Sequence, residues 1–328
     1  KQLFFAMAAA LSFQLATAQT GVPEGMEITA QEWCKSVKAG WNLGNTFESC
    51  GAEWQNTTWS WSDNSDYTTR QNWETSWGNP APDEAMIKAV ADAGFNAIRI
   101  PVRWEPHVTD YSTMAIDPVW MKKVKDVVDL CYKYDMYILL NIHHEMWLEA
   151  NPYYSSQAKI NEWIGKLWTN IATVFKDYDG RLAFAGINEV VHDRNTWGSP
   201  SPENSEVFNS YHQTFVDAVR ATGGNNMYRN LVVQTYSCNP DYGVGIPTDK
   251  VQNRLSVEFH YYQPWNFAGA GTEYYWNDVN GLRNRFTQYA NQWWKQGLGV
   301  IVGEYGCVMH YQAGASAATQ KAQKENVE

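Results

Sequence analysis

The chain has 328 residues, with 35 acidic against 25 basic side chains, a net charge of −10 and an apolar fraction of 44 %. That length and apolar content can bury a full core, which excludes an intrinsically disordered chain. The acidity, with no run of clustered Lys or Arg, excludes phosphate backbones and anionic lipid as partners, so neither nucleic acid nor a membrane surface is expected. Aromatic rings are abundant, at 17 Trp, 19 Tyr and 12 Phe, and call for a role beyond ordinary core filling.

Residues 1–18 begin with Lys1, continue through an apolar run and close on Ala16-Thr17-Ala18, the pattern of a secretory signal peptide; residues 19–328 are then the mature unit. The apolar run, 3–11, is far shorter than the roughly 20 residues of a membrane-spanning helix. Cysteines stand at 34, 50, 131, 238 and 307, an odd count without metal-type spacing, and Cys34 with Cys50 is one candidate pair among several. Asn56-Thr57-Thr58 is a glycosylation sequon.

Downstream, short apolar segments at 40–43, 96–100, 137–141, 184–188, 231–235, 256–260 and 299–302 read as buried strands. Amphipathic stretches at 82–93, 118–133, 159–175, 205–220 and 281–296 read as helices, with Pro82 and Pro118 in first turns and Gly94 as a stop. Alternation sustained this long predicts a parallel sheet closed as a (β/α)8 TIM barrel, and no G-x-G-x-x-G fingerprint supports a dinucleotide fold. Seven strands are legible and an eighth is missing. Residues 315–328 read as the start of the helix after strand seven, so the sequence is expected to be truncated inside a helix, with two open sheet edges.

Polar residues gather at the carboxyl ends of these strands: Asn45, Arg99, His143-His144-Glu145, Asn188-Glu189, His260-Tyr261-Tyr262 and Glu304. A parallel barrel brings such ends to one rim. Glu189 and Glu304, on strands four and seven, then face each other as paired carboxylates suited to acid–base and nucleophilic chemistry at an acetal.

In order and spacing, Gly40-Trp41-Asn42-Leu43-Gly44-Asn45, Gly94 to Trp104, Asn141-Ile142-His143-His144-Glu145, Asn188-Glu189, His260-Tyr261-Tyr262 and Gly303-Glu304-Tyr305-Gly306 resemble the motifs of the glycoside hydrolase family five cellulases. The resemblance implies cleavage of β-glycosidic bonds with retention. It makes Glu189 the acid/base and Glu304 the nucleophile, with Arg99 keeping Glu304 ionised, Asn188 on the sugar 2-hydroxyl, and His143, His144, His260 and Tyr262 around the innermost sugar. Asn45 joins the substrate-binding set. The chain departs from the family at strand four, where Phe184-Ala185-Gly186-Ile187-Asn188-Glu189-Val190 lacks the usual Glu and Pro, and after Glu304, where a strand-eight aromatic is missing.

The segment 46–79 carries Trp54, Trp59, Trp61, Trp73 and Trp77, which read with Trp147 and Trp265 as platforms for pyranose rings. Trp33, Trp120, Trp163, Trp168, Trp293 and Trp294, on helices, read as core. His143-His144-Glu145 lacks the H-E-x-x-H spacing of a zinc site, and neither a catalytic metal nor another cofactor is expected. The resulting expectation is a secreted, monomeric, retaining endo-β-1,4-glucanase acting on a β-glucan. Xyloglucan, lichenan or mannan are alternative substrates, and a non-catalytic carbohydrate-binding barrel is the alternative class.

Overall fold

The computed structural model describes residues 21–49, 73–308 and 314–327. Seven parallel strands form one sheet in chain order: β1 (Gly40–Asn42), β2 (Ala97–Ile100), β3 (Tyr137–Asn141), β4 (Leu182–Ala185), β5 (Leu231–Gln234), β6 (Leu255–Tyr261) and β7 (Gly299–Tyr305). The sheet curls into a nearly closed barrel. Asn42 Nδ2, on one edge strand, donates to the Gly303 carbonyl on the other at 3.0 Å. Among the described residues no eighth strand joins this sheet; the other two strands, Val108–Asp110 and Ala115–Ile116, pair with each other as a separate antiparallel ribbon.

Besides two four-residue helices, Met146–Glu149 and Trp265–Ala268, the helices are α1 (Ala30–Ser36), α2 (Glu84–Asp92), α3 (Pro118–Lys133), α4 (Tyr154–Val174), α5 (Pro202–Ala221), α6 (Val279–Gln292) and α7 (Ala317–Val327). Local chemistry sets their starts. Thr29 and Glu32 form a capping box on α1, Ser201 and Asn204 another on α5, and Asp117 caps α3 with Pro118 in its first turn. Pro82 is not in a first turn as expected: the Asp83 side chain accepts from Met86 N, so α2 begins after it. α4 starts five residues before the expected 159. The expected helix 281–296 is two pieces, α6 and a short turn over Trp294–Gln296 that Gly297 ends with φ +88°.

Inward and outward positions alternate along every strand. Outward Ile98, Ile100, Ile138, Leu140, Leu182 and Phe184 pack under α3, α4 and α5 in the main core. Inward, the lower barrel is filled by Leu139, Ala183, Ala185 and Val232, and Trp33 from α1 plugs its floor, its indole donating to the Arg181 carbonyl at 3.1 Å. Of the helical tryptophans expected in the core, Trp120, Trp168 and Trp293 are buried with Trp33, while Trp163 and Trp294 are half-buried.

β4 ends at Ala185, three residues before the expected 188. Gly186 still donates its N–H to the Val232 carbonyl at 3.0 Å, after which Ile187-Asn188-Glu189 leaves the ladder, and Glu189 takes φ +45°, a left-handed turn that carries its side chain to the rim. At the other carboxyl end, β6 and β7 slip by one residue between Phe259 and His260, so that His260 pairs with Glu304. That slip makes Gly303 a bulge.

Candidate active site

A cleft of about 1350 Å³ opens at the carboxyl ends of the strands. Glu189 and Glu304 face each other in it. One oxygen of each and a ring nitrogen of His260 lie within 4.8 Å of one another. Arg99, His143, His144, Asn45, Tyr262 and Trp265 line the same cleft. Asn188 belongs to the group but lies beneath the floor, 2 % exposed.

Glu304 is held on three sides. Arg99 donates one guanidinium nitrogen to its Oε1 at 2.8 Å, the Tyr262 hydroxyl donates to Oε2 at 2.9 Å, and His260 Nδ1 stands 3.6 Å from Oε2. Burial alone would raise its pKa, but the charges of His260 and Arg99 and the two hydrogen bonds outweigh burial and lower it to about 2. Burial and the Glu304 charge raise the Tyr262 phenol, so it stays a proton donor.

Glu189 meets a different set. Its Oε1 lies 2.6 Å from His260 Nδ1, and its backbone N–H donates to Gln234 Oε1 at 3.2 Å. His192 and Arg194, the basic residues nearest in sequence, point elsewhere: His192 Nδ1 meets the Tyr236 hydroxyl at 3.0 Å and Arg194 pairs with Glu149. Burial works against a charged His260, yet Cys238, Glu304 and Glu189 raise its pKa well above the ordinary value. Burial pushes the Cys238 thiol itself up to about 11, so the carboxylates, not a thiolate, supply that effect at neutral pH.

The supporting shell is dense. Arg99 donates to Asn188 Oδ1 at 2.8 Å and makes an ion pair through Nε with Glu258 at 3.0 Å. His143 lies between Asn141 at 3.1 Å and Asn188 at 3.4 Å, and burial with the neighbouring cationic groups keeps it neutral. His144 is held by Glu149 at 2.7 Å, its ring edge-on to His143. Asn45, at φ +55°, stands exposed on the turn that Glu48 fastens by accepting from the Asn45 and Thr46 amides.

The aromatic expectations divide. Trp265 is 57 % exposed on the cleft wall, and Trp77 lines the cleft beside His144. Trp73 is instead buried, edge-on to His107, which stacks on Trp120; the turn Trp73–Thr75 folds it inward. Trp147 turns away from the cleft and packs edge-on against Trp163 on α4. Trp54, Trp59, Trp61, the sequon at Asn56, Cys50 and residues 1–18 lie outside the described residues. Cleft residues that the sequence reading missed are Trp197, Trp276, Tyr305 and Glu48. Buried Glu258 was missed too, although Ser256-Val-Glu258-Phe-His260 alternates so that all three named side chains face inward.

The donor atoms of Glu189, His260 and Glu304 are close enough to surround a cation, but Arg99 against Glu304 and the proton on His260 already supply positive charge there. Such an arrangement is chemically fit to move protons and to hold one ionised carboxylate.

Comparison with known proteins gives the family. Endoglucanase B of Clostridium cellulovorans is 35 % identical over 308 residues, covering 89 % of this chain and 63 % of that protein. The chain therefore spans a little under two thirds of that relative's length. A Bacteroides ovatus GH5 xyloglucanase solved in complex with a XXXG heptasaccharide superposes with TM-score 0.80 at 31 % identity, over 92 % of this chain and 67 % of that one. A GH5-4 broad specificity endoglucanase from Ruminococcus champanellensis with bound cellotriose gives TM-score 0.74 at 36 % identity, over 85 % and 80 %. The family model for Cellulase (glycosyl hydrolase family 5) matches residues 56–327, most of the chain, and the chain belongs to glycosyl hydrolase family 5.

Proposed function

We propose that the chain is a retaining endo-β-1,4-glucanase in which Glu304 is the nucleophile and Glu189 first the acid and then the base. The observation that carries the reading is the short gap between the two carboxylates, with oxygens within 4.8 Å. Retaining glycosidases hold their carboxyl groups about 5–5.5 Å apart, whereas inverting ones leave about 6.5–9.5 Å for a water. The surroundings divide the roles. Glu304, lowered to about 2 by His260 and Arg99 against burial, is ionised at any working pH, as a nucleophile requires.

In the first step a Glu304 oxygen attacks the anomeric carbon, the glycosidic C–O bond breaks, and the leaving oxygen takes the proton of Glu189. In the second, Glu189 removes a proton from water, the water oxygen attacks the anomeric carbon, and the bond to Glu304 breaks. His260, against Glu189, orients the group that exchanges the proton. Arg99 and Tyr262 steady the carboxylate when it is expelled. Asn188, which accepts from Arg99, bonds the sugar 2-hydroxyl in this reading.

An internal bond of a long chain is the fitting substrate, because the cleft is open and walled by Trp77, Trp197, Trp265, Trp276 and Tyr305. A branched β-glucan such as xyloglucan is the second reading. It is favoured by the breadth of the cleft, whose lining also takes in Asp241, Leu282 and Arg285, and by the heptasaccharide bound to the similar Bacteroides ovatus enzyme. Residues 19–328 are proposed to belong to the catalytic barrel, which acts as a monomer, and residues 1–18, on their composition, are proposed as a secretory signal.

The test uses an aryl cellobioside whose leaving group needs no proton. Glu189→Ala should form the glycosyl-enzyme and stall, and azide should restore turnover with a β-glycosyl azide product. Near-wild-type hydrolysis of β-glucan by this variant would refute the assignment.

A further inference from the structure

We propose that Glu258 is a positioning residue for both cleft carboxylates, a single buried anion that aims Arg99 at Glu304 and His260 at Glu189. The inference rests on the functional reading above.

Glu258 is fully buried on β6. Its Oε1 lies 3.0 Å from Arg99 Nε and 3.4 Å from His260 Nε2. Each of these partners turns its other face to the cleft. Arg99 reaches Glu304 at 2.8 Å through a terminal nitrogen, and His260 reaches Glu189 at 2.6 Å through Nδ1. The ion pair at Arg99 Nε and the hydrogen bond at His260 Nε2 limit how either group can turn, so one carboxylate biases the direction of both.

The strands make room for that carboxylate. Glu258 is the ladder partner of Gln234 on β5. On the β7 side, the register slip places Gly303 against it, where an added Cβ would stand 1.8 Å from Glu258 Oε1. Only a residue without a side chain leaves this space.

Burying an anion there is costly unless cations meet it, and removing one member of such a cluster strands the rest. The groups facing Glu258 are Arg99 from β2, Gln234 from β5, His260 on its own strand and the Gly303 backbone from β7. Cys238, Glu304 and Glu189 lie behind His260. Arg99 and protonated His260 balance Glu258 and Glu304 when Glu189 carries its proton. The cluster is then neutral in the state that begins acid catalysis. Without the Glu258 charge one cation is in excess, and His260 loses its proton at lower pH.

The experiment compares wild type, Glu258→Gln and Glu258→Asp in the full-length protein, by thermal unfolding and by kcat/KM on soluble β-glucan from about pH 4 to about pH 9. Glu258→Gln should stay folded, lose roughly 10- to 100-fold in kcat/KM with little change in KM, and show its alkaline limb displaced to lower pH by about one unit. Glu258→Asp, which keeps the charge, should restore the position of the limb. A folded Glu258→Gln enzyme with the wild-type pH profile would overturn the proposal. So would failure of both variants to fold, or failure of Glu258→Gln alone beside a kinetically wild-type Glu258→Asp, since either makes Glu258 a stability residue only. A wild-type protein without activity on β-glucan would instead overturn the functional reading.

Discussion

The lower and upper interiors of the barrel are built by the same strands and differ by two residues along each. Ala97 is followed by Arg99, Leu139 by Asn141, Val232 by Gln234 and Ser256 by Glu258. Below, the side chains are small or aliphatic and close on Trp33. Above, they are polar and buried, and they hydrogen-bond or pair ionically around Arg99 and His260. Because the period of a strand is two, one rigid ladder holds the layer that supplies stability and, about 7 Å further along, the layer that supplies chemistry. The lower layer would tolerate any well-packed apolar set. The upper layer would not, since each polar group there is placed by another.

The comparison breaks most sharply at Glu304. Glu304→Ala should lower kcat/KM on β-glucan on the order of 10⁴-fold or more, at least about 5 kcal/mol of barrier, without azide rescue that retains configuration. Its urea midpoint should shift less than that of a lower-layer variant. Steady-state assays and urea titration on the same preparation check both parts.

The converse variant is Trp33→Ala, which empties the barrel floor. About 3–5 kcal/mol of stability should be lost, as for other buried Trp truncations, while kcat/KM per folded molecule at low temperature stays near wild type. Equal loss in both quantities would show that the layers are not separable.

At the cleft wall the expected effect is smaller. Trp265→Ala should cost about 1–3 kcal/mol in kcat/KM on polymer, on the scale of ring stacking elsewhere, with the melting temperature little changed. A large stability loss with unaltered polymer kinetics would make Trp265 a packing residue.

The smallest effect concerns the ionisation of Glu304. With its pKa lowered in the folded state to about 2, the stability it contributes is present above the ordinary carboxylate value of 4.5 and is lost as pH falls from there toward 2. The acid limb of kcat/KM should therefore lie well below the ordinary carboxylate range. Tyr262→Phe removes one hydrogen bond to the charged form and should move that limb upward by up to roughly one pH unit. A pH series of the two enzymes measures it.

Much of the upper layer was legible in the sequence because polar residues at strand ends interrupt apolar runs, as at Asn141-Ile142-His143 and His260-Tyr261-Tyr262. Arg99, Glu189, His260 and Glu304 come together as that pattern predicts. Other features were hidden for physical reasons. The sequence pattern carries β4 three residues too far because Gly186 and Ile187 look like strand, whereas the left-handed turn at Glu189 depends on its tertiary setting. Trp73 and Trp147 carry no local mark of direction; a short turn folds one inward and packing on α4 claims the other. Glu258 sits mid-strand, where period-two alternation marked it as inward, but its partners Arg99 and Gly303 are distant in sequence.

The most direct test of the central claim follows the stereochemistry of hydrolysis. Proton NMR of cello-oligosaccharide cleavage, recorded before mutarotation, should show the β-anomer of the new reducing end first, as two displacements through Glu304 require. A first-formed α-anomer would mean a single displacement by water and would contradict the account.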